Sequence, residues 1–219
     1  MTVNGARSGR TTVRRHPERG RYDRETVEAI LDEALICHLG VTVDGNPHVI
    51  PTMYARRGDV VYVHGAVANR ALGALRQGAE TCLVVTLLDG LVMARSAFHH
   101  SMNYRSVVVV GKAREVTDPT EKMGAMEALV EHVARGRWQD TRHPSQAEFE
   151  STVVLALSLA EASAKVRTGG PIDAPEDLEL GHWAGVIPLA LRADTALDAE
   201  NLGRDIAVPD YARGYRRSP

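Results

Sequence analysis

The sequence is poor in cysteine, in aromatic residues and in long apolar runs. Cys37 and Cys82 are its only cysteines, and neither has a CxxC partner or a histidine at metal-ligand spacing. We therefore expect two buried reduced thiols and no metal site. No run is long enough to span a bilayer, and the N-terminal stretch lacks the apolar segment of a signal peptide. These absences predict a cytoplasmic protein without a membrane partner.

A dominant charge of either sign is also missing. The net charge of −2 gives no global field that would recruit nucleic acid, so we expect no nucleic-acid partner. Lysine occurs only three times, and residues 1–22 are rich in arginine without an apolar period. This composition predicts a flexible or partner-docked arm over 1–22, one domain over 23–192 and a C-terminal tail over 193–219.

The apolar periodicity of the chain indicates a mainly β protein. Asp23 precedes a stripe with helical spacing that includes Val27, Ile30 and Leu31, so we predict a helix that covers a barrel. Alternation then predicts three meandering strands from Ile36 onward, and later strands on either side of a predicted turn at 89–90. A further helix over about 119–133 is expected to cross one mouth of the barrel. Without any βαβ alternation, the pattern favours an antiparallel barrel with peripheral helices.

Two short segments are dense in hydrogen-bond donors. HGAVANR, residues 64–70, follows a strand and opens a helix, and SMNYRS, residues 101–106, surrounds the start of another strand. Phosphate sites combine such backbone turns with arginine, hydroxyl and amide donors. We therefore predict that the two segments converge on one phosphate. Pro51 lies inside a predicted strand, where its missing N–H is tolerated only at an edge, at a bulge or where the ladder opens for a ligand, so it also indicates a binding site.

The usual catalytic signatures are absent from the sequence. There is no GxSxG elbow, no GxGxxG after a strand and no P-loop. His99 and His100 are adjacent, and neighbouring residues of a strand point to opposite faces, so we expect a structural or interface role for them. We name no catalytic residue and no metal ligand.

The segments singled out above, together with their neighbours, resemble a known family. Residues 51–54, 64–70, TLLDGLVMARSAFHHSMNYRSVVVVGKA, KVRTGGPID and WAGVIPL are similar to pyridoxamine 5'-phosphate oxidase-related flavoproteins, in the branch similar to nitroimidazole reductases. The resemblance runs from about Arg14 to Leu189. It implies an FMN-binding antiparallel split β-barrel that forms a homodimer with FMN between the subunits.

The resemblance also implies which residues contact FMN. The strand over 51–54 would follow the isoalloxazine ring, the two donor-rich segments would hold the phosphate and ribityl chain, and a tryptophan would reach the ring from the partner subunit. The implied cofactor-binding residues are Pro51, Thr52, Met53, Tyr54, His64, Gly65, Asn69, Arg70, Ser101, Asn103, Tyr104, Arg105 and Trp183. Lys165 and Arg167 are further candidates at the same interface.

Three functions remain open at this stage. The first is an FMN-dependent oxidoreductase that passes electrons from a reduced nicotinamide to a small acceptor such as a nitro compound or a quinone. The second is a haem-binding or haem-handling protein on the same barrel, with His64, His99 or His100 as axial ligand. The third is a non-catalytic flavin-binding module whose arginine-rich arm docks a partner. Oxidation of pyridoxamine phosphate is not expected, because the basic residues for a second phosphate cannot be placed.

Overall fold

The computed structural model describes residues 8–203 and 205–216. Within these residues there are five α-helices: α1 Arg24–Glu33, α2 Arg70–Arg76, α3 Pro119–Val133, α4 Gln146–Ser151 and α5 Asp210–Arg213. The strands of the same residues are β1 Gly20–Arg21, β2 Ile36–Val43, β3 Asn46–Arg57, β4 Val60–Ala66, β5 Glu80–Met93, β6 Ser101–Lys112, β7 Arg114–Glu115, β8 Thr152–Ser158, β9 Ala162–Arg167 and β10 Gly185–Pro188.

All strands of the described residues belong to one antiparallel sheet. Its order is β1-β9-β6-β5-β2-β3-β4-β8-β7, and β10 pairs with the end of β5. The sheet rolls up, because one apolar core contains residues from strands near both of its ends, including Ala164 of β9 and Leu155 of β8. No ladder within residues 8–203 and 205–216 joins the two ends, so the barrel stays open. The predicted antiparallel barrel with peripheral helices is confirmed.

The inner core follows directly from the sequence pattern. Along β2 the alternation places Cys37, Leu39 and Val41 inside, and burial raises the pKa of the Cys37 thiol to about 12. Helix α1 begins where predicted, since the Asp23 carboxylate accepts a hydrogen bond from the Thr26 amide. Its apolar stripe enters the same core. The helix therefore covers the barrel, as the spacing predicts.

Helix α3 packs on the outer face of the sheet. Its Ala125 and Met126 join a second cluster with Tyr62 and Val154, whereas Val63 faces the inner core. Side chains one residue apart on a strand point to opposite faces, so β4 serves both clusters. The prediction that this helix crosses a barrel mouth was wrong, because its apolar residues match the outer face of β4 and β8.

Two strand boundaries also differ from the prediction. Asp89 and Gly90 form a bulge inside β5 and not a turn, because the register with β6 shifts between Leu88 and Gly90. Strand β10 lies so close at this point that a Cβ on Gly90 would be 3.1 Å from the Ile187 carbonyl oxygen. The apolar stretch after Thr152 is divided into β8 and β9 by a 3-10 turn at Leu159–Glu161.

The described part of the N-terminal arm, residues 8–22, is bonded to the barrel of the same chain. Strand β1 pairs with β9, Ser8 bonds to Glu161, and Arg10 bonds to Glu80. Residues 1–7 of the predicted arm lie outside the described residues. In the tail, the Tyr211 hydroxyl contacts the carboxylate of Asp140 at 2.6 Å. None of the helices in the described part of the chain has the length and apolar character that a membrane crossing requires.

Candidate functional site

The barrel has a seam between β3 and β4. Their ladder is confined to 54–57 of β3 and 60–63 of β4, although β4 continues to Ala66 against β8. The rest of β3 pairs with β2 alone, so Pro51, Thr52 and Met53 have a strand on one side only. Proline lacks an N–H and suits such a position. Of the three situations that the sequence allows for Pro51, an edge, a bulge or an opening of the ladder, the structure has the opening.

A cavity of about 370 Å³ lies beside this seam. Strands β3, β4 and β8 form one wall, helix α3 forms another, and the segment from the 3-10 turn at Trp138–Asp140 to helix α4 completes it. Most of the wall is apolar, and charged groups occur only toward one side among the lining residues described. These residues are Met53, His64, Met126, Leu129, Val130, Trp138, Thr141, Arg142, Pro144, Glu148 and Thr152.

His64 is the unusual residue of this wall. The alternation of β4 places it on the same face as Tyr62, toward α3 and away from the inner core. Its Nδ1 atom is buried and has no hydrogen-bond partner among the described residues. Burial lowers the pKa of His64 below its ordinary value, so the ring is neutral near pH 7. A neutral, half-buried imidazole with an unpartnered nitrogen is suited to ligate a metal.

An ion pair lies on the polar side of the cavity. The Arg142 guanidinium donates two hydrogen bonds of 2.8 Å to the two carboxylate oxygens of Glu148. Glu148 also accepts from the Ser145 amide at 2.7 Å in a capping box at the start of α4. These bonds lower the pKa of Glu148 to about 2, so it is ionised at neutral pH.

The first donor-rich segment, 64–70, has mostly internal roles in this structure. Gly65 packs against Leu72, since a Cβ at this position would be 2.7 Å from a Leu72 methyl group. The Asn69 side chain caps α2 by accepting from the Leu72 amide at 3.1 Å. Arg70 is exposed and bonds to Asp44 at 2.7 Å. Of this segment, Arg70 remains the most accessible donor for an anion.

The second donor-rich segment, 101–106, is bound to other parts of the same chain. Asn103 is buried, accepts from Arg167 and donates to the Gly169 carbonyl at 3.1 Å. Arg105 bonds to two carboxylates, those of Glu33 and Asp89. These bonds raise the pKa of Arg105 further above its ordinary value. Ser101 and Tyr104 are half-buried in the same strand.

The arginines of the two segments lie far apart within one chain. Arg70 bonds at Asp44, just after β2, and Arg105 bonds at Glu33, shortly before β2. Strand β2 has eight residues and spans about 26 Å at 3.3 Å per residue. A single phosphate cannot reach both arginines of one chain in this arrangement, and the convergence of the two segments on one phosphate stays a prediction.

The remaining predicted contacts lie at different depths. Tyr54 is fully buried, and its hydroxyl donates to the Leu31 carbonyl at 2.5 Å, so its ring belongs to the inner core. Trp183 is 66% exposed and packs beside Gly185 at the start of β10. Lys165 pairs in register with Gly20 of β1 and with Ser106 of β6.

Sequence reasoning missed one wall of the cavity. This wall is the segment 136–145, which contains none of the predicted site residues yet contributes Trp138 and Arg142. Two signals were available: one of only two tryptophans in an aromatic-poor chain, and the capping pattern Ser145-x-x-Glu148. Neither signal shows by itself that these residues face His64.

The rolled, open antiparallel sheet with peripheral helices is a split barrel. The sequence profile of the pyridoxamine 5'-phosphate oxidase family matches residues 23–166, so the chain belongs to this family. This confirms the resemblance inferred from the sequence. A comparison with curated protein sequences found no match.

Two solved structures are similar over nearly the whole chain. The flavocytochrome Anf3 from Azotobacter vinelandii is 41% identical with a TM-score of 0.91, covering 96% of this chain and 98% of that one. A FAD- and haem-binding protein from Mycobacterium smegmatis is 33% identical with a TM-score of 0.85, covering 90% and 96%. A protein assigned to 5-nitroimidazole antibiotic resistance in Bacteroides thetaiotaomicron is 23% identical with a TM-score of 0.57, covering 67% and 86%, and shows the fold alone.

Proposed function

We propose that the chain is a redox protein that binds both a haem and a flavin. The observation that carries the haem part is the buried, unpartnered Nδ1 atom of His64 in a largely apolar cavity. The two relatives more than 30% identical support the combination, since one is a flavocytochrome and the other binds FAD and haem. Of the functions open from the sequence, the haem and flavin proposals therefore combine in one protein.

The residues of the cavity fit a haem better than a bare metal ion. In the described residues no group of three or more His, Cys, Asp or Glu side chains is placed to hold an ion. A haem brings most of its iron ligands within its own ring, so His64 would be enough to hold it in this cavity. Met126, Leu129 and Val130 would contact the apolar ring, and Arg142 would face its carboxylates. Bound haem supplies a one-electron centre whose reactivity the axial ligand tunes.

The flavin part of the proposal retains FMN at the interface of a homodimer. Of the predicted contacts, Pro51, Arg70 and Trp183 are exposed, and Thr52, Ser101 and Tyr104 are half-buried, so these stay accessible. Met53 and His64 line the cavity that is proposed for haem. Tyr54 and Asn103 are buried and Arg105 is held by two carboxylates, whereas Arg70 is exposed and has one exposed partner, Asp44, so we assign the phosphate to Arg70. Flavin held there would supply the hydride and electron chemistry, with a reduced nicotinamide as donor and a small acceptor such as a nitro compound or quinone.

Absorption spectroscopy with a histidine series tests the haem proposal. Protein produced with added haem precursor is expected to show a Soret band, and His64→Ala is expected to lose it while retaining its fold by circular dichroism. His100→Ala is the matched control, because His100 is exposed and bonds to the Ser96 carbonyl. A Soret band that survives in His64→Ala, or that disappears in the control, overturns the assignment of the ligand.

The flavin proposal has its own measurement. Flavin released by denaturation is identified by mass, which separates FMN from FAD, the flavin of the Mycobacterium smegmatis relative. Arg70→Gln is expected to weaken FMN binding, whereas Arg76→Gln, on the same helix but paired with Glu115, is expected to leave it unchanged. A protein that binds neither FMN nor FAD contradicts the proposal.

Subunit number and donor oxidation complete the test. A dimer by light scattering, with nicotinamide oxidation that requires an acceptor, is the expected result. A monomer that binds flavin tightly contradicts the interface, and bound flavin that no nicotinamide reduces supports the non-catalytic module instead.

A further inference from the structure

We propose that Glu148 limits the affinity of the cavity for haem by occupying Arg142, the basic group that would otherwise bind the haem carboxylates. This inference rests on the haem binding proposed above. It assigns to Glu148 the role of a competing anion at the cavity and not that of a ligand.

The competition follows from the chemistry of the cavity wall. Arg142 is the only lysine or arginine among the described residues that line it. A haem carries two carboxylates, and a guanidinium is the group that binds a carboxylate through two parallel hydrogen bonds. In this structure that fork is already taken, because both Glu148 oxygens accept from Arg142 at 2.8 Å. A haem carboxylate must therefore displace Glu148 from the Arg142 guanidinium or share the guanidinium with it.

Arg142 is also held toward the cavity by the wall itself. Its Nη1 atom donates to the His143 carbonyl at 2.9 Å. The His143 ring stacks on Trp138, with ring centroids 4.6 Å apart and planes at 21°. Trp138 is buried and lines the cavity. The guanidinium thus has one contact with the wall that does not depend on Glu148.

Glu148 is fixed independently of Arg142. Its carboxylate accepts a hydrogen bond from the Ser145 amide at 2.7 Å. Its backbone amide donates to the Ser145 hydroxyl, which completes the capping box. Glutamine also serves at this position of a capping box, because its side-chain oxygen accepts the same bond. Glu148→Gln thus removes the charge while the start of α4 is retained.

The two variants have opposite expected effects. Glu148→Gln frees the guanidinium and removes a negative charge beside the haem carboxylates, so haem is expected to bind roughly two- to fivefold more tightly, the range for a solvent-exposed ion pair. Arg142→Gln removes the receptor and is expected to weaken binding by a similar factor. In the double variant, the gain from Glu148→Gln should shrink, because much of it acts through Arg142.

The experiment is an equilibrium titration of each haem-free protein with haemin, followed by the Soret band at pH 7 and at two salt concentrations. The control is Glu150→Gln, on the same helix, whose carboxylate bonds to Gln146 outside the lining. Thermal midpoints verify that each variant is folded. The gain in Glu148→Gln is expected to be smaller at high salt, since the pair is exposed.

The outcomes separate this inference from the function on which it rests. If the unaltered protein binds no haemin, or binds it as His64→Ala does, the proposed haem site fails. If the unaltered protein binds haemin through His64 but Glu148→Gln binds no more tightly than Glu150→Gln, the haem site stands and the role of Glu148 is overturned. An equal gain with and without Arg142 also overturns it, because the effect would then not act through the ion pair.

Discussion

Replacing Arg105 by methionine tests two roles for this residue. Either it stabilises the barrel by joining three elements, or it binds the FMN phosphate. The guanidinium connects β6 to Glu33 at the end of α1 and to Asp89 in the bulge of β5. Methionine retains an apolar stem of similar length but has no charge. The substitution leaves two carboxylates in one site without the cation between them.

The expected loss of stability follows from the burial of this site. The side chains of Arg105, Glu33 and Asp89 are 27%, 18% and 30% exposed. Exposed ion pairs contribute about 0–1 kcal/mol, and breaking a buried one costs about 3–5 kcal/mol. This intermediate, doubly bonded case is expected to cost about 2.5 kcal/mol. For a chain of this size, that loss corresponds to a decrease in Tm of roughly 5–10 °C.

The assay is urea denaturation of the flavin-free protein at one fixed protein concentration, together with FMN titration. Arg114→Met is the control, because Arg114 is 56% exposed in its pair with Glu121 and should cost less than about 1 kcal/mol. The two interpretations of Arg105 differ sharply in this assay. If Arg105→Met is no less stable than the control but binds FMN more weakly, the structural role is refuted and the phosphate contact is supported.

Substitutions at three further positions test the core, a helix start and the cavity. Tyr54→Phe removes the hydroxyl that donates to the Leu31 carbonyl at 2.5 Å. It should lower the free energy of unfolding, measured by urea denaturation, by about 1–2 kcal/mol and leave the FMN affinity unchanged. A change in FMN affinity alone would place the ring at the flavin. Asn69→Ala should lower the free energy of unfolding by about 1 kcal/mol, because the Leu72 amide loses its capping acceptor. Asn69→Asp should lower it by less, since aspartate also caps helices, and equal losses would contradict the capping role. His64 has a lowered pKa through burial, so the unfolded haem-free chain takes up its proton at a higher pH than the folded one. The free energy of unfolding is therefore expected to fall as the pH drops below about 6.5. His64→Gln should lose less of it than the unaltered protein between about pH 7.5 and 5.5 in denaturation curves. An identical loss would show that other groups cause the decrease.

The fold was largely predictable because its signals are local. The Asp23 cap and the apolar stripe behind it define α1, the alternation of β2 defines its inner face, and Asn69 marks the start of α2. These patterns act through backbone dihedral preferences and side-chain period, both of which a short stretch of sequence contains. The local patterns predict an antiparallel barrel with peripheral helices, and the resemblance to the family identifies that barrel as a split barrel.

The parts that were mispredicted depend on contacts between distant residues. Asp89–Gly90 has the composition of a turn, but β10 packs against it from nearly a hundred residues away, and β5 continues through a bulge. Helix α3 was expected at a barrel mouth, although its apolar residues fit the outer face of β4 and β8. Composition does not show which of two apolar surfaces a helix will cover.

The sequence by itself determined the strands, the helix starts and the supply of donors at 64–70 and 101–106. Only the tertiary structure decided what these donors do. It directed Arg105 to Glu33 and Asp89, left Arg70 accessible, and kept these two arginines at opposite ends of β2. It also brought Trp138 and Arg142 to the same cavity as His64. Side-chain partners across such distances in the chain are set by packing and strand register, which no local pattern encodes.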